Sequence, residues 1–476
     1  MDKKALKNPF LLAALSGILC ILSFPPYNLS FLIWVALAPL LYAIIITPFE
    51  HKKIFGILYD EAPVTGFVFG IVFYFGTLHW VYHIFGWFGL FLLLVLCVYP
   101  YFFAYCLSYV YNKLKSRWVI LLSPAIIWTA IEFVKSEFWI LKFSWMNIGY
   151  SQHNFLPALQ FSSILGQYGI TALIIFINSF IVYLFVNNDS TKEKIAVGAS
   201  VLVIILAIIS SGIYYMNENY SPEVKVALVQ DESSEFRAYR SLINTLNTDV
   251  DFILLPEYAL PTYLNEDELL LKEIQNITIK YSAYMIVGSK DKNDDGKLGY
   301  YNSAYLINPS GEISGRYYKM NPIQFFNDGD PGKEYSVFQT EHGNIGIFIC
   351  YDADYSYVAR NIVKNGAEML FIPTYDAMDW SKTQHLQHSA MTSMRAVENG
   401  RFIARTTTSG ISQIIDPKGR ITQNIGLGKT GTAIGNVMPI KKHTFYVDYG
   451  FIFPYFAIIC TLIILFISFS RKAKPG

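Results

Sequence analysis

A run of apolar stretches sets the terms on which this 476-residue chain can fold. A bilayer core takes about 20 consecutive apolar residues in a helix. Runs of that kind lie near 8–25, 30–49, 63–86, 88–111, 117–134, 166–187, 195–216 and 449–470. Hydrophobic residues make up 53% of the chain and charged residues only 15%, where soluble domains carry about 25% charge. The sequence therefore predicts a polytopic α-helical membrane protein with about eight spans, the last separated from the others by a long polar insert. The expected division is a membrane domain over 1–217, an inserted domain over 222–445 and a final span over 449–470.

Loop charge orients the spans. Lys and Arg concentrate in short cytoplasmic loops. Lys3, Lys4 and Lys7 precede the first run, Lys52 and Lys53 follow the second, "NKLKSR" follows the fourth, "NNDSTKEK" the sixth, and Arg471, Lys472 and Lys474 the last. The alternate turns, "SFPPYNLS" and "FGWFG", carry no charge. Both termini are expected in the cytoplasm of a cell (plasma or inner) membrane, with the insert on the outer face. The first run resembles a signal peptide, but no small-residue cleavage site follows it, so it reads as retained. A net charge of +1 gives no reason to expect nucleic-acid binding.

The insert has a different texture. Short β-rich runs recur as "VKVALVQ", "DFILLPE", "AYMIVGS", "NSAYLINP", "NIGIFIC", "AEMLFIPT", "RFIARTTT" and "SGISQIIDPKGRI". Helix-like stretches at 264–281, 354–365 and 384–399 lie between several of them. Strands alternating with helices predict an α/β domain with a buried sheet. Of five cysteines, only Cys350 lies in the insert, so no disulfide can form inside it. No Cys/His zinc spacing occurs, and neither a metal nor a cofactor is expected.

Three strand ends in the insert carry reactive side chains: "FILLPEYALP" delivers Glu257, "GRYYKMNP" Lys319 and "IGIFICYD" Cys350. A thiolate can attack a carbonyl, and a nearby ammonium lowers the thiol pKa. A carboxylate can take the thiol proton and move it on. A fixed cation beside a backbone N–H can hold an oxyanion. Together they suffice for acyl transfer through a thioester. A packing cysteine, a turn glutamate and a solvated lysine are the structural alternatives, and spacing leaves both readings open.

The order Glu257, Lys319, Cys350, in "LLPEYALP", "YYKMN" and "FICYD", resembles the nitrilase or carbon–nitrogen hydrolase superfamily. "LSFPPYN", "FGTLHWVYH", "WTAIEFVKS", "FSWMNIGYSQ" and "LGQYGI" in the apolar part resemble its membrane-bound branch, the apolipoprotein N-acyltransferase family. So does "QHSAMTSMRAVENGRFIARTTTSGISQIIDPKGRI", with Gln387, His388, Arg395 and Glu398. The resemblance implies a nitrilase-like α-β-β-α sandwich for the insert. It implies that Cys350 takes a fatty acyl group from a phospholipid and passes it to the N-terminal amine of a diacylated lipoprotein. Glu257 would be the general base and Lys319 the oxyanion stabiliser, in a monomer without cofactors. Tyr351, Asp352, Asp328, Asn327, Asp376 and Trp380 are candidate oxyanion or substrate contacts. Where the family carries a loop Glu eight residues after the Lys, this chain has Asn327, with Asp328 and Asp330 beside it. Asp352 stands where the family favours Glu, and "DESSEFRAYR" replaces an Asn-Ile-Pro-like loop. A membrane-tethered amidase using the same site is the alternative, a catalytically dead scaffold is a second, and a transporter a distant third.

Other signals have structural readings. Glu132 on an apolar helix needs a partner, and Lys135 three residues on is the expected one. His385 and His388 lack a third clear metal ligand. Trp80, Trp145 and Tyr150 are expected in the interfacial belt. "NDDG", 293–296, reads as a hairpin turn.

Overall fold

The computed structural model describes residues 8–48, 51–54, 57–138, 141–293 and 299–471, with side chains left aside at 51–59. Lys3, Lys4, Lys7, Lys472, Lys474 and most of the 293–296 turn lie outside the described residues. The chain forms two compact units: Met1–Tyr214 with Gly450–Gly476, and Tyr215–Tyr449.

The first unit is helical. Its apolar helices are α1 (Pro9–Ser23), α2 (Ser30–Ile46), α3 (Glu61–Thr77), α4 (Trp87–Leu114), α5 (Arg117–Phe133), α6 (Ser162–Val186), α7 (Thr191–Met216) and, from the chain end, α12 (Ile452–Ser470). Among the described residues five of these, α4, α5 with its continuation to Phe138, α6, α7 and α12, are long and apolar enough to cross a membrane; α1, α2 and α3 are shorter. The expected single span over 63–86 is broken: α3 ends at Thr77, and a separate short helix runs from Trp80 to Phe85. Trp80, Trp145 and Tyr150 do not form an exposed belt. All three are buried inside the unit, with the two indoles 4.7 Å apart.

Glu132 and Lys135 interact electrostatically, as expected, but their hydrogen bonds go to other partners. The Glu132 carboxylate accepts hydrogen bonds from the Ile148 N–H at 2.8 Å, the Thr171 hydroxyl at 2.6 Å and the Trp128 indole at 3.4 Å. The Lys135 ammonium reaches the Trp145 carbonyl at 3.3 Å and lies over the Tyr74 ring. A buried acid must find donors, and here they come from the irregular segment at Ile148, from Thr171 on α6 and from Trp128 on α5 itself.

The second unit contains two mixed sheets. In the first, β1 (Val224–Gln230), β2 (Phe252–Leu254) and β3 (Tyr284–Lys292) run parallel. β4 (Tyr300–Ile307) and β5 (Ile313–Tyr318) extend it antiparallel beyond β3. In the second, β6 (Val337–Thr340), β7 (Gly343–Ile347), β8 (Met369–Thr374), β9 (Ile403–Thr407), β10 (Ser412–Ile415) and β11 (Ile421–Ile425) are adjacent in chain order, with β7, β8 and β9 parallel. The last strand, β12 (Gly431–Val437), returns to the first sheet and pairs antiparallel with β1, Val437 opposite Val224.

Strand side chains alternate between faces, and both faces of the first sheet are apolar. Val226, Leu228, Phe252, Leu254, Ile286 and Leu306 share one core with Ile345, Ile347, Met369 and Phe371 of the second sheet. Their neighbours Ala227, Val229, Ile253, Met285 and Val287 join a second core with α8 (Phe236–Ile243) and α9 (Glu268–Tyr281). Two further helices, α10 (Ser356–Lys364) and α11 (Lys382–Asn399), supply Val358, Ile362 and Ala396 to the first core. Sheets covered on both faces suit parallel strands.

Candidate active site

Glu257 follows β2 closely, and a glycine on the next strand makes room for it. A Cβ at Gly288 on β3 would lie 2.2 Å from the Pro256 carbonyl oxygen and 2.6 Å from the Glu257 Cα. Real side chains do not approach that closely, so only glycine lets the Glu257 backbone settle against β3. Lys319 follows β5, its N–H donating to the Asn302 carbonyl at 2.9 Å. Cys350 opens a 3₁₀ turn, Cys350–Asp354, immediately after β7, with φ 47°. A positive φ is sparsely populated for a non-glycine residue, so the surroundings of Cys350 hold its backbone in that conformation.

These elements bring Glu257 and Lys319 together at 2.7 Å, Oε1 to Nζ. The same Glu257 oxygen accepts a bond from Asn302 Nδ2 at 2.6 Å, and Oε2 accepts one from the Tyr375 N–H at 2.8 Å. Asp328 completes the group: its Oδ2 lies 2.7 Å from Lys319 Nζ and accepts the Ile323 N–H at 2.7 Å. Its Oδ1 accepts Asn302 Nδ2 at 2.8 Å and the Tyr258 hydroxyl at 3.0 Å. The Cys350 thiol points at the Tyr375 carbonyl, 3.6 Å away, and also interacts with Glu257. Glu257, Lys319 and Cys350 are all buried.

Burial and charge set the protonation states. Burial, reinforced by the Asp328 charge, raises the Glu257 pKa above the ordinary carboxylate range despite Lys319 and Asn302. Burial alone would discharge Lys319, but Asp328 and Glu257 hold it protonated, its pKa well above normal. Burial and the Glu257 charge push the Cys350 thiol well up, and Lys319 offsets this only in part. Lys319 lowers the thiol pKa, as expected, but burial and Glu257 outweigh it, so the net shift favours the protonated thiol.

The other sequence candidates divide. Asn327, Asp328 and Trp380 line a cavity of about 480 Å³, together with Glu257, Tyr258, Lys290, Tyr300 and Tyr375. Asp352 is not a cavity residue. It is fully buried and braces the Lys319 segment, accepting bonds from the Tyr317 hydroxyl at 2.9 Å, the Asn321 N–H at 2.8 Å and the Met320 N–H at 3.2 Å. Asp376 is also buried, paired with Arg405 at 2.7 Å and His388 at 2.8 Å, which holds its pKa below the usual range against the effect of burial. Tyr351 stacks edge-on against Tyr355, 5.2 Å between ring centres. Asp330 bonds Asn293 at 2.7 Å and leaves Lys319 to Asp328. Arg395 donates to the Ala353 carbonyl at 2.8 Å and pairs with Glu398, fixing the turn that carries Cys350.

Sequence reading missed Asn302, Tyr258, Tyr300 and the Tyr375 backbone. The one signal for Asn302 was an amide inside an apolar strand run, "YNSAYLI". The Tyr375 contribution is main-chain and leaves no residue-type signal.

The comparisons with known proteins cover both units. Residues 205–439 match the carbon-nitrogen hydrolase family model, and residues 16–180 match that of the apolipoprotein N-acyltransferase N-terminal domain. A curated apolipoprotein N-acyltransferase from Geobacter metallireducens is 26% identical over 99% of both chains. One from Chlorobaculum tepidum is 23% identical over 98% of both. Among solved structures, Saccharomyces cerevisiae Nit3, of the nitrilase superfamily, aligns with 46% of this chain and 91% of its own, at 20% identity and a TM-score of 0.40. An amidase from Nesterenkonia sp. aligns with 48% and 94%, at 16% and 0.40. The chain is thus a carbon–nitrogen hydrolase-type enzyme joined to a set of apolar helices. Within that class it belongs to the apolipoprotein N-acyltransferase family.

Proposed function

We propose that Cys350 carries a fatty acyl group from a phospholipid to the N-terminal amine of a diacylated lipoprotein. The observation that supports this most directly is Glu257, joined to Lys319 and to the Tyr375 N–H beside the Cys350 thiol. In the first half, Glu257 takes the thiol proton as Sγ bonds to the ester carbonyl carbon. The oxyanion is held by Lys319 and a backbone N–H, with Tyr351 the candidate donor. The C–O ester bond then breaks, and the lysophospholipid leaves with the proton from Glu257. In the second half, the lipoprotein amine bonds to the thioester carbon and gives a proton to Glu257. The C–S bond breaks, and the thiolate recovers that proton. Each half moves one proton through one carboxylate, so the buried site never gains net charge.

Further parts of this reading concern architecture. The two cores support a helix–sheet–sheet–helix sandwich for Tyr215–Tyr449. The apolar runs support eight spans, and the loop charges support cytoplasmic termini and an outward catalytic unit. The test of the chemistry is incubation of membranes with radiolabelled phospholipid and a diacylated lipopeptide. We expect N-acylated peptide, an acyl adduct on Cys350 by mass spectrometry, and neither product with Cys350→Ala. Release of free fatty acid without N-acylated peptide would point instead to an amidase-like hydrolysis and overturn the transfer step.

A further inference from the structure

We infer that Lys290 recognises the phosphodiester of the acyl donor; the inference rests on the acyl-transfer reading above. Lys290 lies on β3 directly opposite Asn302 on β4, and residues paired in that way project from the same face of a sheet. Asn302 is the amide that holds both Glu257 and Asp328. The Lys290 ammonium extends from that level to the Tyr300 ring, 4.7 Å from its centre. Tyr300 stands two residues before Asn302 on β4, roughly 7 Å along the strand.

Tyr300 is itself fixed. Its hydroxyl donates to the Asn327 carbonyl at 2.6 Å and lies 3.3 Å from the Tyr258 hydroxyl. An aromatic face holds an ammonium in place without neutralising it. Lys319, by contrast, is engaged by two carboxylates and is fully buried. Among the described residues lining the cavity, Lys290 is the only cationic one, and no ion pair to it occurs among the described residues. Glu257 and Asp328 line the same space, so an anionic ligand needs a cation at this point to enter.

The chemistry of the donor matches the spacing. A glycerophospholipid carries its phosphate a few bonds beyond each ester carbonyl. Glu257 and Lys290 line one cavity, so a carbonyl held at the Glu257 end places the phosphate about one strand step outward, toward Lys290. Lysine meets phosphate as a point charge, which suits a ligand whose headgroup varies while its phosphodiester does not.

The test uses the full chain in detergent and reads the rate of acyl-Cys350 formation from two donors. One is phosphatidylethanolamine in mixed micelles; the other is an uncharged p-nitrophenyl ester of the same fatty acid. For Lys290→Gln, the phospholipid-to-ester ratio of kcat/KM is expected to fall about tenfold, or about 1.4 kcal/mol, through KM for the phospholipid. Lys290→Glu falls further, and Lys290→Arg restores most of the ratio. Glycerophosphoethanolamine competes with the lipid in the unaltered enzyme and loses that effect in Lys290→Gln. An unchanged ratio in both Gln and Glu variants overturns the assignment. So does competition by inorganic phosphate that equals glycerophosphoethanolamine. Failure of the donor reading is separable: the unaltered enzyme would then acylate from the p-nitrophenyl ester but not from phospholipid.

Discussion

Asn302 and Asp328 act on Glu257 with opposite signs. The Asn302 amide stabilises the ionised carboxylate, whereas the Asp328 charge destabilises it. As the proposed base, Glu257 works only when ionised, so the acid limb of the pH–rate profile is expected to follow its pKa. Asn302→Ala is expected to move that limb to higher pH, because a stabiliser of the anion is lost. It should also slow Cys350 acylation by about 10–100-fold, the scale of a lost hydrogen bond to a charged group. Asp328→Asn should move the limb to lower pH, since the neighbouring negative charge is gone. Rate profiles between pH 4 and 9 check both, and shifts in one common direction would contradict this electrostatic account. The three reactive side chains were legible as residue types at strand ends. The rest was not: Asn302 reads as an ordinary strand polar, and the acidic partner of Lys319 arrives from a loop whose spacing offered Asn327, Asp328 and Asp330 alike.

Elements position the site through contacts that involve no chemistry. Gly288 admits the turn carrying Glu257, and a methyl there collides with backbone that cannot give way. Gly288→Ala is expected to cost about 1–3 kcal/mol of stability by overpacking and to lower activity more than a surface Gly→Ala change. Thermal unfolding and acylation rate, measured together, check this. Asp376, fully buried, also acts through packing contacts. It pairs with α11 through His388 and with β9 through Arg405, next to the residue whose N–H reaches Glu257. Asp376→Asn leaves Arg405 buried without its partner, at a cost of about 3–5 kcal/mol, visible as a lowered melting temperature in detergent. Near-continuous apolar runs made the inner strands readable, because both faces of β1 to β3 are buried. The strands β6 and β12 went unread: their residues are largely half-exposed, and β12 includes two glycines. Helix α8 lay hidden in "DESSEFRAYR", whose single apolar stripe is too short to show a period. The apolar run over 63–86 concealed a helix break at Leu78, because hydropathy is blind to main-chain geometry.

At the scale of the whole molecule, a single polypeptide joins a helical unit to a catalytic one. Short connectors link them: α7 ends at Met216 before β1 begins at Val224, and α12 begins at Ile452. If the loop charges set the orientation as expected, a phosphatase reporter inserted near Asn424 on β11 will be active outside the cytoplasmic membrane. One fused after Ser470 will be silent. The reverse pattern would refute the outward placement. The pairing of Val224 with Val437 carries a consequence for the history of the chain. Directly opposed residues on antiparallel strands have Cα atoms about 5 Å apart, so the catalytic unit enters and leaves through one doorway. A segment with neighbouring ends can be spliced into a loop of a host without prising the host apart. A gene coding for a freestanding hydrolase could thus have been grafted between two helices in one event, and the scar would be no wider than a pair of strands.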